Sequence, residues 1–115
     1  MSMKIPIEIH THDRQLGFLI MGSRSLRTGS ATQAPGGCGV EFDGALIRKS
    51  LGIPEVLQFL VDASVTIDLG LFSAWLYDKV KNSNVERIVV RKKEITEITE
   101  EGIRRIIEEE IESLK

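Results

Sequence analysis

The sequence predicts an α+β fold, and three observations support this class. The segments Lys4–Ile9 and Val85–Val90 have the composition of strands, whereas helix start signals stand at Asp68 and Thr99. The chain has 115 residues, which is the length of one domain and is enough to bury roughly two-thirds of the unfolded surface. We therefore expect a single domain over 1–115. Its small sheet of two β-hairpins would be packed on one face by a buried central helix and a C-terminal amphipathic helix.

The first hairpin is predicted near the N-terminus. Residues Lys4–Ile9 alternate isoleucine with polar residues or proline, the pattern of a strand with one buried face, and Pro6 favours a position at the sheet edge. Residues 11–14 are suited to a turn. The apolar run Leu16–Met21 then predicts a more buried second strand paired with the first.

The stretch 22–39 changes in composition to Gly, Ser, Thr, Ala and Pro, with scarcely any large apolar side chain. Such a segment buries too little surface to offset the entropy lost on ordering. We predict a mobile Gly/Ser-rich loop here.

The middle of the chain predicts two helices and a short extended segment. Asp43 is suited to cap a short helix that stops at Gly52. Pro54 fits the first position of a second helix, and Glu55 is favourable in its first turn. The apolar spacing changes to two over 61–69, which indicates about five extended residues.

A central helix is predicted over Leu69–Asn82, with Asp68 as its N-cap. This helix is apolar nearly all round, which is typical of an element buried in a domain or at an interface. If its surface meets a partner, the natural anchors are Phe72, Trp75 and Tyr77. The alternative is that all three belong to the core of the domain itself.

The C-terminal third predicts a second hairpin followed by a helix. Residues 85–90 form its first strand, 91–93 a basic turn and 94–98 the return strand. Thr99 caps the final helix, whose first turn carries Glu100 and Glu101. The apolar stripe of this helix consists of Ile103, Ile106, Ile107, Ile111 and Leu114.

The amino-acid composition argues against several classes of function. The chain is 42% hydrophobic and 28% charged, with a formal net charge of −2, so it gives no sign of steering toward nucleic acid or an anionic membrane. Asp62 and Asp68 interrupt the longest apolar region, which disfavours a transmembrane span. No export signal is visible and Cys38 is the only cysteine, so we expect a cytoplasmic protein.

The motif Glu8-Ile9-His10-Thr11-His12-Asp13 places two histidines two residues apart, where a strand would project both to one face. This pattern resembles the strand-end His-x-His of metal-dependent amidohydrolases and of polymerase-and-histidinol-phosphatase-type phosphoesterases. The resemblance covers four or five residues and implies a metal site, which Asp13, Glu41 or Asp43 would complete. Those families use much longer barrels with ligands from later strands, whereas this chain has no third histidine. We expect no metal and no cofactor.

Two further patterns suggest a small-ligand or anion-binding enzyme. Cys38 is flanked by glycines in a segment predicted to be mobile, where a thiol would be accessible and His10 or His12 would have to act as its base. Arg24 and Arg27 lie in the same Gly-rich loop and are candidates for binding an anion. The loop lacks the lysine and spacing of a phosphate-binding P-loop, and no cation next to Cys38 would activate the thiol.

Basic side chains recur over 79–93, which raises the possibility of a nucleic-acid or membrane-surface accessory protein. No aromatic residue alternates with them, and acidic neighbours dilute their charge, so nucleic-acid binding is not expected.

The function that we expect from the sequence is a non-enzymatic protein-interaction or oligomerisation module. Apolar helix surface is plentiful, convergent catalytic groups are scarce, and one small sheet is too little to cover both main helices. We therefore expect a homo-oligomer, with the contact near Phe72, Trp75, Tyr77 or Ile107.

Overall fold

The computed structural model of the chain describes residues 3–13, 15–23, 26–46, 52–95 and 97–114. These residues form an α+β fold, as the sequence predicts, with six strands and three helices. The strands are β1 (Lys4–Thr11), β2 (Ala31–Ala34), β3 (Cys38–Leu46), β4 (Glu55–Asp62), β5 (Val85–Val90) and β6 (Lys93–Glu94). The helices are α1 (Leu16–Met21), α2 (Leu69–Val80) and α3 (Glu100–Ser113).

All six strands belong to one antiparallel sheet in the order β2-β3-β4-β1-β5-β6. The longest pairing joins β1 and β4, where Lys4 lies opposite Asp62 and Thr11 lies opposite Glu55. A bulge near Asp43 shifts the register between β3 and β4. The sheet therefore has β1 and β4 at its centre and two short strands at its edges.

The position of β1 corrects the prediction of an edge strand. A central strand donates backbone N–H groups to a neighbour on each side, and a proline has no N–H to donate. Pro6 is nevertheless part of β1, which pairs with both β4 and β5. The ladder to β5 begins only at Ile7, and the Pro6 carbonyl oxygen accepts a hydrogen bond of 2.8 Å from the N–H of Arg91 in the turn after β5. The N–H that Pro6 lacks would point to the position just past the end of β5. No hydrogen bond between β1 and β5 is therefore lost.

One hydrophobic core joins the three helices to one face of the sheet. Alternate strand residues such as Ile5, Ile7 and Ile9 point into it, together with Phe72 of α2 and Ile103 of α3. The α2 helix contacts both α1 and α3, while α1 contacts β3 and α3 contacts β5. The helices therefore follow the order of the strands below them, with α1 on the side of β2 and α3 on the side of β6.

The prediction that Leu16–Met21 is a strand is wrong, because this segment is helix α1. Its inward side chains are Leu16, Ile20 and Met21, and Gly22 ends it in the left-handed conformation with φ 62°. An apolar run of six residues fits a short buried helix as well as a strand, so its periodicity did not discriminate between them. The predicted first hairpin is therefore absent, and β4 and β5 pair with β1 instead.

The two helices predicted in the middle of the chain are strands. The segment that follows Asp43 lies in β3, and Pro54 precedes β4 rather than a helix. The extended segment predicted over 61–69 is confined to the end of β4. The last residues of the first predicted helix, 47–51, lie outside the described residues.

The stretch 22–39, predicted to be a mobile loop, contains regular structure. Strand β2 and the beginning of β3 pair around the turn at residues 35–37. Gly36 in this turn has φ 95°, and its carbonyl oxygen accepts a hydrogen bond of 3.0 Å from the N–H of Asp68. The turn is thereby attached to the start of α2, while the mobility of the stretch stays a prediction.

Most helices and strands of the C-terminal half lie where the sequence predicts them. Helix α2 begins at Leu69, as predicted, and ends at Val80, two residues earlier than predicted. Strands β5 and β6 form a hairpin, but β6 covers only Lys93–Glu94, whereas the return strand was predicted over 94–98. The side chain of Thr99 caps α3 by accepting a hydrogen bond from the N–H of Gly102.

Candidate functional site

The start of α2 is fixed by two contacts. The Asp68 carboxylate accepts a hydrogen bond of 3.1 Å from the N–H of Leu71, which satisfies one of the free donors at the helix N-terminus. The N–H of Asp68 donates a hydrogen bond to the Gly36 carbonyl oxygen in the β2–β3 turn. These contacts connect α2 to the sheet at the edge where β2 lies.

The solvent side of α2 is unusually apolar. Phe72, Leu76 and Val80 point into the core, as expected of an amphipathic helix. Leu71, however, is 55% exposed, and Trp75 one turn later is half-buried. Leu71 and Trp75 are four residues apart and therefore share one side of the helix.

The four predicted interface residues occupy two different environments. Phe72 and Ile107 are each 1% exposed and lie in the core of the single chain. Trp75 and Tyr77 are half-buried and pack against that core while keeping part of their surface in solvent. The rings of Phe72 and Trp75 lie 5.7 Å apart in a tilted arrangement, so the buried ring supports the more exposed one.

Elements next to α2 also carry exposed apolar side chains, since α1 contacts α2 and the segment 63–68 precedes it in the chain. Leu19 on the neighbouring helix α1 is 51% exposed, and Val65 in the segment before α2 is 50% exposed. Trp75 is only partly on the solvent side, because its side chain also lines a narrow gap in the core together with Ile20 of α1. We call Leu19, Leu71 and Trp75 together the α1–α2 face.

Cys38 is not the accessible thiol that the sequence predicts. It is 0% exposed and lies in the core at the start of β3. Burial raises the pKa of the Cys38 thiol to about 11, with the charge of Asp62 acting in the same direction. The group is a neutral thiol at neutral pH and is not activated for nucleophilic attack.

The structure does not bring Cys38 together with the histidines. Cys38 points to the helix-covered face, whereas His10 follows the buried Ile9 and points to the second face. His10 pairs with Val56, at the opposite end of the sheet from Cys38. At the usual rise per residue of a β-strand, Cys38 and His10 are about 20 Å apart along the strand direction.

The histidine pair is likewise not assembled as a metal site. The Nε2 atom of His12 lies 3.0 Å from a carboxylate oxygen of Glu86, which gives this side chain a partner of its own. Within the described ranges, no group of three or more His, Cys, Asp or Glu side chains is arranged to hold one ion. Of the two candidate anion-binding residues, Arg27 is exposed, and Arg24 lies outside the described residues.

The basic turn between β5 and β6 is bound to a buried carboxylate. Glu110 of α3 is only 3% exposed, and its two oxygens lie 3.1 Å from Arg91 and 3.2 Å from Lys93. Arg91 also donates a hydrogen bond of 3.1 Å to the Ser113 hydroxyl. These contacts attach α3 to the β5–β6 hairpin and neutralise part of the positive charge that the sequence offered for phosphate binding.

The second face of the sheet carries charged and polar side chains. Lys4 lies 3.1 Å from Glu41, and Arg87 lies 2.6 Å from Glu94. Antiparallel sheets commonly present one such hydrated face. The same face also carries apolar side chains, since Leu46 is 52% exposed and lies opposite the buried Val56.

One structural feature was missed by the sequence reasoning, namely the free edge at β2. Its residues Ala31 and Gln33 are exposed, and among the described strands β2 pairs with β3 alone. The small side chains of Ala-Thr-Gln-Ala gave little strand signal in a segment dominated by Gly and Ser. The pairing with the better-defined strand β3 is what makes this segment extended.

Comparison with known proteins finds no match to the chain among protein-family models, curated proteins or solved structures. None of the helices in the described part of the chain is long and apolar enough to span a membrane.

Proposed function

We propose that the protein is a non-enzymatic module that self-associates through its α1–α2 face. The observation that carries this proposal is the apolar solvent side of α2, where Leu71 is more than half exposed beside the half-buried Trp75. An aromatic side chain already held by the core loses little conformational freedom when a partner covers it.

The charge of the molecule supports a second copy as the partner. The formal net charge is −2, so two copies repel each other weakly when they approach. The side chains of the α1–α2 face itself are uncharged. The nearest ion on the same side of α2 is Asp78, one turn beyond Trp75, and its carboxylate is paired with Lys81 at 3.0 Å.

The state of the candidate reactive groups supports a non-enzymatic role. A nucleophilic cysteine needs a lowered pKa and a nearby base, whereas Cys38 has a raised pKa and lies far from His10. A buried, unpaired thiol is most compatible with a reducing compartment, which supports the cytoplasmic location that we propose.

The proposal is tested by replacing Leu71 with a charged residue. We expect Leu71→Glu to weaken self-association at least tenfold in sedimentation experiments over a range of concentrations, because the carboxylate would be desolvated in the contact. Leu46→Glu is the matched control, since Leu46 is 52% exposed but lies at the end of β3, away from α2.

Equal effects of the two substitutions would contradict a contact at the α1–α2 face. A wild-type protein that remains at its monomer mass of 12.8 kDa at every concentration would contradict self-association altogether.

A further inference from the structure

Strand β2 lies at the edge of the sheet, and no second strand in the described part of the chain pairs with its outer side. The Ser30 carbonyl accepts a hydrogen bond of 2.8 Å from the N–H of Phe42, so this carbonyl points toward β3. Backbone groups alternate in direction along a strand. Those of Thr32 and Ala34 therefore point toward β3 as well, and those of Ala31 and Gln33 point away from the sheet.

The two edges of the sheet differ in how they are protected. Strand β6 is two residues long, and both Lys93 and Glu94 are charged and exposed, which discourages further pairing. Strand β2 consists of Ala31, Thr32, Gln33 and Ala34 and carries neither a charge nor a proline. An edge of this kind is a template for another strand.

We propose that two copies of the chain pair through their β2 edges, antiparallel and about a two-fold axis. In this register Thr32 lies opposite Thr32 of the second copy. Ala31 and Gln33 then exchange backbone hydrogen bonds with Gln33 and Ala31 of the second copy. The sheet would continue from one copy into the other. This inference rests on the proposed self-association but names a different surface for it.

The surroundings of β2 favour a second copy as the occupant. A two-fold pairing of this edge brings no like charges together, because β2 has none. Helix α1 contacts β3, the strand next to β2, and carries the exposed Leu19.

The expected affinity follows from the size of the contact. Each copy contributes a strand of four residues, which by itself buries less than the roughly 1,200 Å² typical of stable interfaces. We therefore expect a reversible dimer with a Kd on the order of micromolar.

The first test removes one outward-pointing donor. Gln33→Pro deletes the N–H that would bond to the second copy while leaving the ladder to β3 intact, since proline is tolerated on the outer side of an edge strand. We expect a loss of dimerisation of at least tenfold in sedimentation equilibrium. Gln33→Ala, which keeps the N–H, should dimerise like the wild type. Circular dichroism establishes that both variants are folded.

The second test uses the two-fold axis and does not require a proline to be tolerated. Thr32→Lys and Thr32→Glu each place like charges opposite one another in the proposed dimer, so each variant alone should be monomeric. An equimolar mixture of the two should form heterodimers, because the charges are then complementary. A mixture that remains monomeric, or a Thr32→Lys protein that dimerises like the wild type, would overturn the proposed register.

The outcomes separate this inference from the proposed function. Self-association that Leu71→Glu weakens and Gln33→Pro does not would overturn the β2 pairing and leave the α1–α2 face in place. The reverse result would support the β2 pairing and contradict the α1–α2 face. A folded Gln33→Pro variant that dimerises like wild type, together with capture of an added extended peptide at β2, would assign the edge to a foreign strand and overturn pairing with a second copy.

Discussion

The environment of Cys38 determines its chemistry. The sulfur lies 3.6 Å from the Gly39 carbonyl oxygen and 3.9 Å from that of Asp62, within a core that excludes water. Ionising the thiol there would place a charge in a site with no cation to stabilise it. The flanking glycines led the sequence reasoning to an accessible loop thiol, because glycine marks flexible backbone but does not report what the segment packs against.

We predict that Cys38 makes the stability of the protein fall in alkaline solution. The thiol has a pKa of about 11 in the folded chain and 9.0 as its ordinary value, so the unfolded chain releases the proton first. Stability should therefore be lost as the pH rises from about 9 to about 11, at up to about 1.4 kcal/mol per pH unit. Urea unfolding across this range measures the slope.

The Cys38→Ala variant is the control for that slope, since it has no thiol to ionise and should lose less stability over the same range. Equal slopes for the two proteins would show that Cys38 is not the titrating group. In the wild type, a thiol reagent should react with Cys38 only as fast as the protein opens.

A second prediction at this scale concerns the buried carboxylate of Glu110. Glu110→Gln removes the charge and leaves Arg91 and Lys93 free to be hydrated, so we expect a loss of about 1 kcal/mol. The double variant Arg91→Met, Lys93→Met leaves a buried carboxylate without a cation and should cost about 2–3 kcal/mol. Urea denaturation of the three proteins measures the difference. A larger loss in Glu110→Gln than in the double variant would contradict the proposed asymmetry.

At the scale of the elements, the two glycines in the first turns of α2 and α3 have different roles. A Cβ atom on Gly102 would clash with the backbone carbonyl oxygen of Glu97, while one on Gly70 would lie 3.3 Å from the Asp68 carboxylate. Neither glycine has a positive φ. Gly102 is therefore required by the close approach of the preceding segment, whereas Gly70 meets only a side-chain oxygen.

We predict opposite effects for the two corresponding alanine variants. Gly70→Ala should be neutral or stabilise the protein by up to about 1 kcal/mol, because alanine has the higher helix propensity. Gly102→Ala should destabilise it by about 1–3 kcal/mol, because the backbone of residues 97–99 must move. Thermal unfolding of both variants provides the comparison. A stabilised Gly102→Ala protein would show that the segment before α3 adapts freely.

The elements that were predicted correctly have local signals that agree with their packing. Asp68 and Thr99 both cap their helices through the expected hydrogen bonds. Val85–Val90 is a run of β-formers that turns at Arg91. For these segments the local preference and the tertiary structure favour the same conformation.

The elements that were predicted wrongly are those whose form depends on distant neighbours. At the start of β4, Val56 and Leu57 are both buried although they point to opposite faces of the sheet, so the alternation typical of a strand is lost. In addition, Pro54 followed by Glu55 is a pattern typical of the first turn of a helix, and it led to the wrong prediction. Trp75 of the α1–α2 face was singled out from the sequence of α2 alone, and its place at an interface stays a prediction, whereas Leu19 and Leu71 were not singled out. The β2 edge was not predicted, because it exists only through its pairing with β3.

At the scale of the whole molecule, we predict that amide hydrogen exchange is slowest at the centre of the sheet. Residues such as Ile7, Ile9 and Phe59 lie in β1 and β4, which are paired on both sides and face the core. The amides of Ala31 and Gln33 should exchange rapidly in dilute solution. They should become protected as the concentration rises if β2 pairs with a second copy. Nuclear magnetic resonance spectra recorded at two concentrations measure both effects.

The central position of β1 also has a consequence for how the protein is made. The ribosome releases β1 first, but its partners β4 and β5 follow about 50 and 80 residues later in the chain. The isoleucines of β1 therefore lack these neighbours until β5 has left the exit tunnel. The centre of the sheet forms only after that point, because β1 lies between β4 and β5.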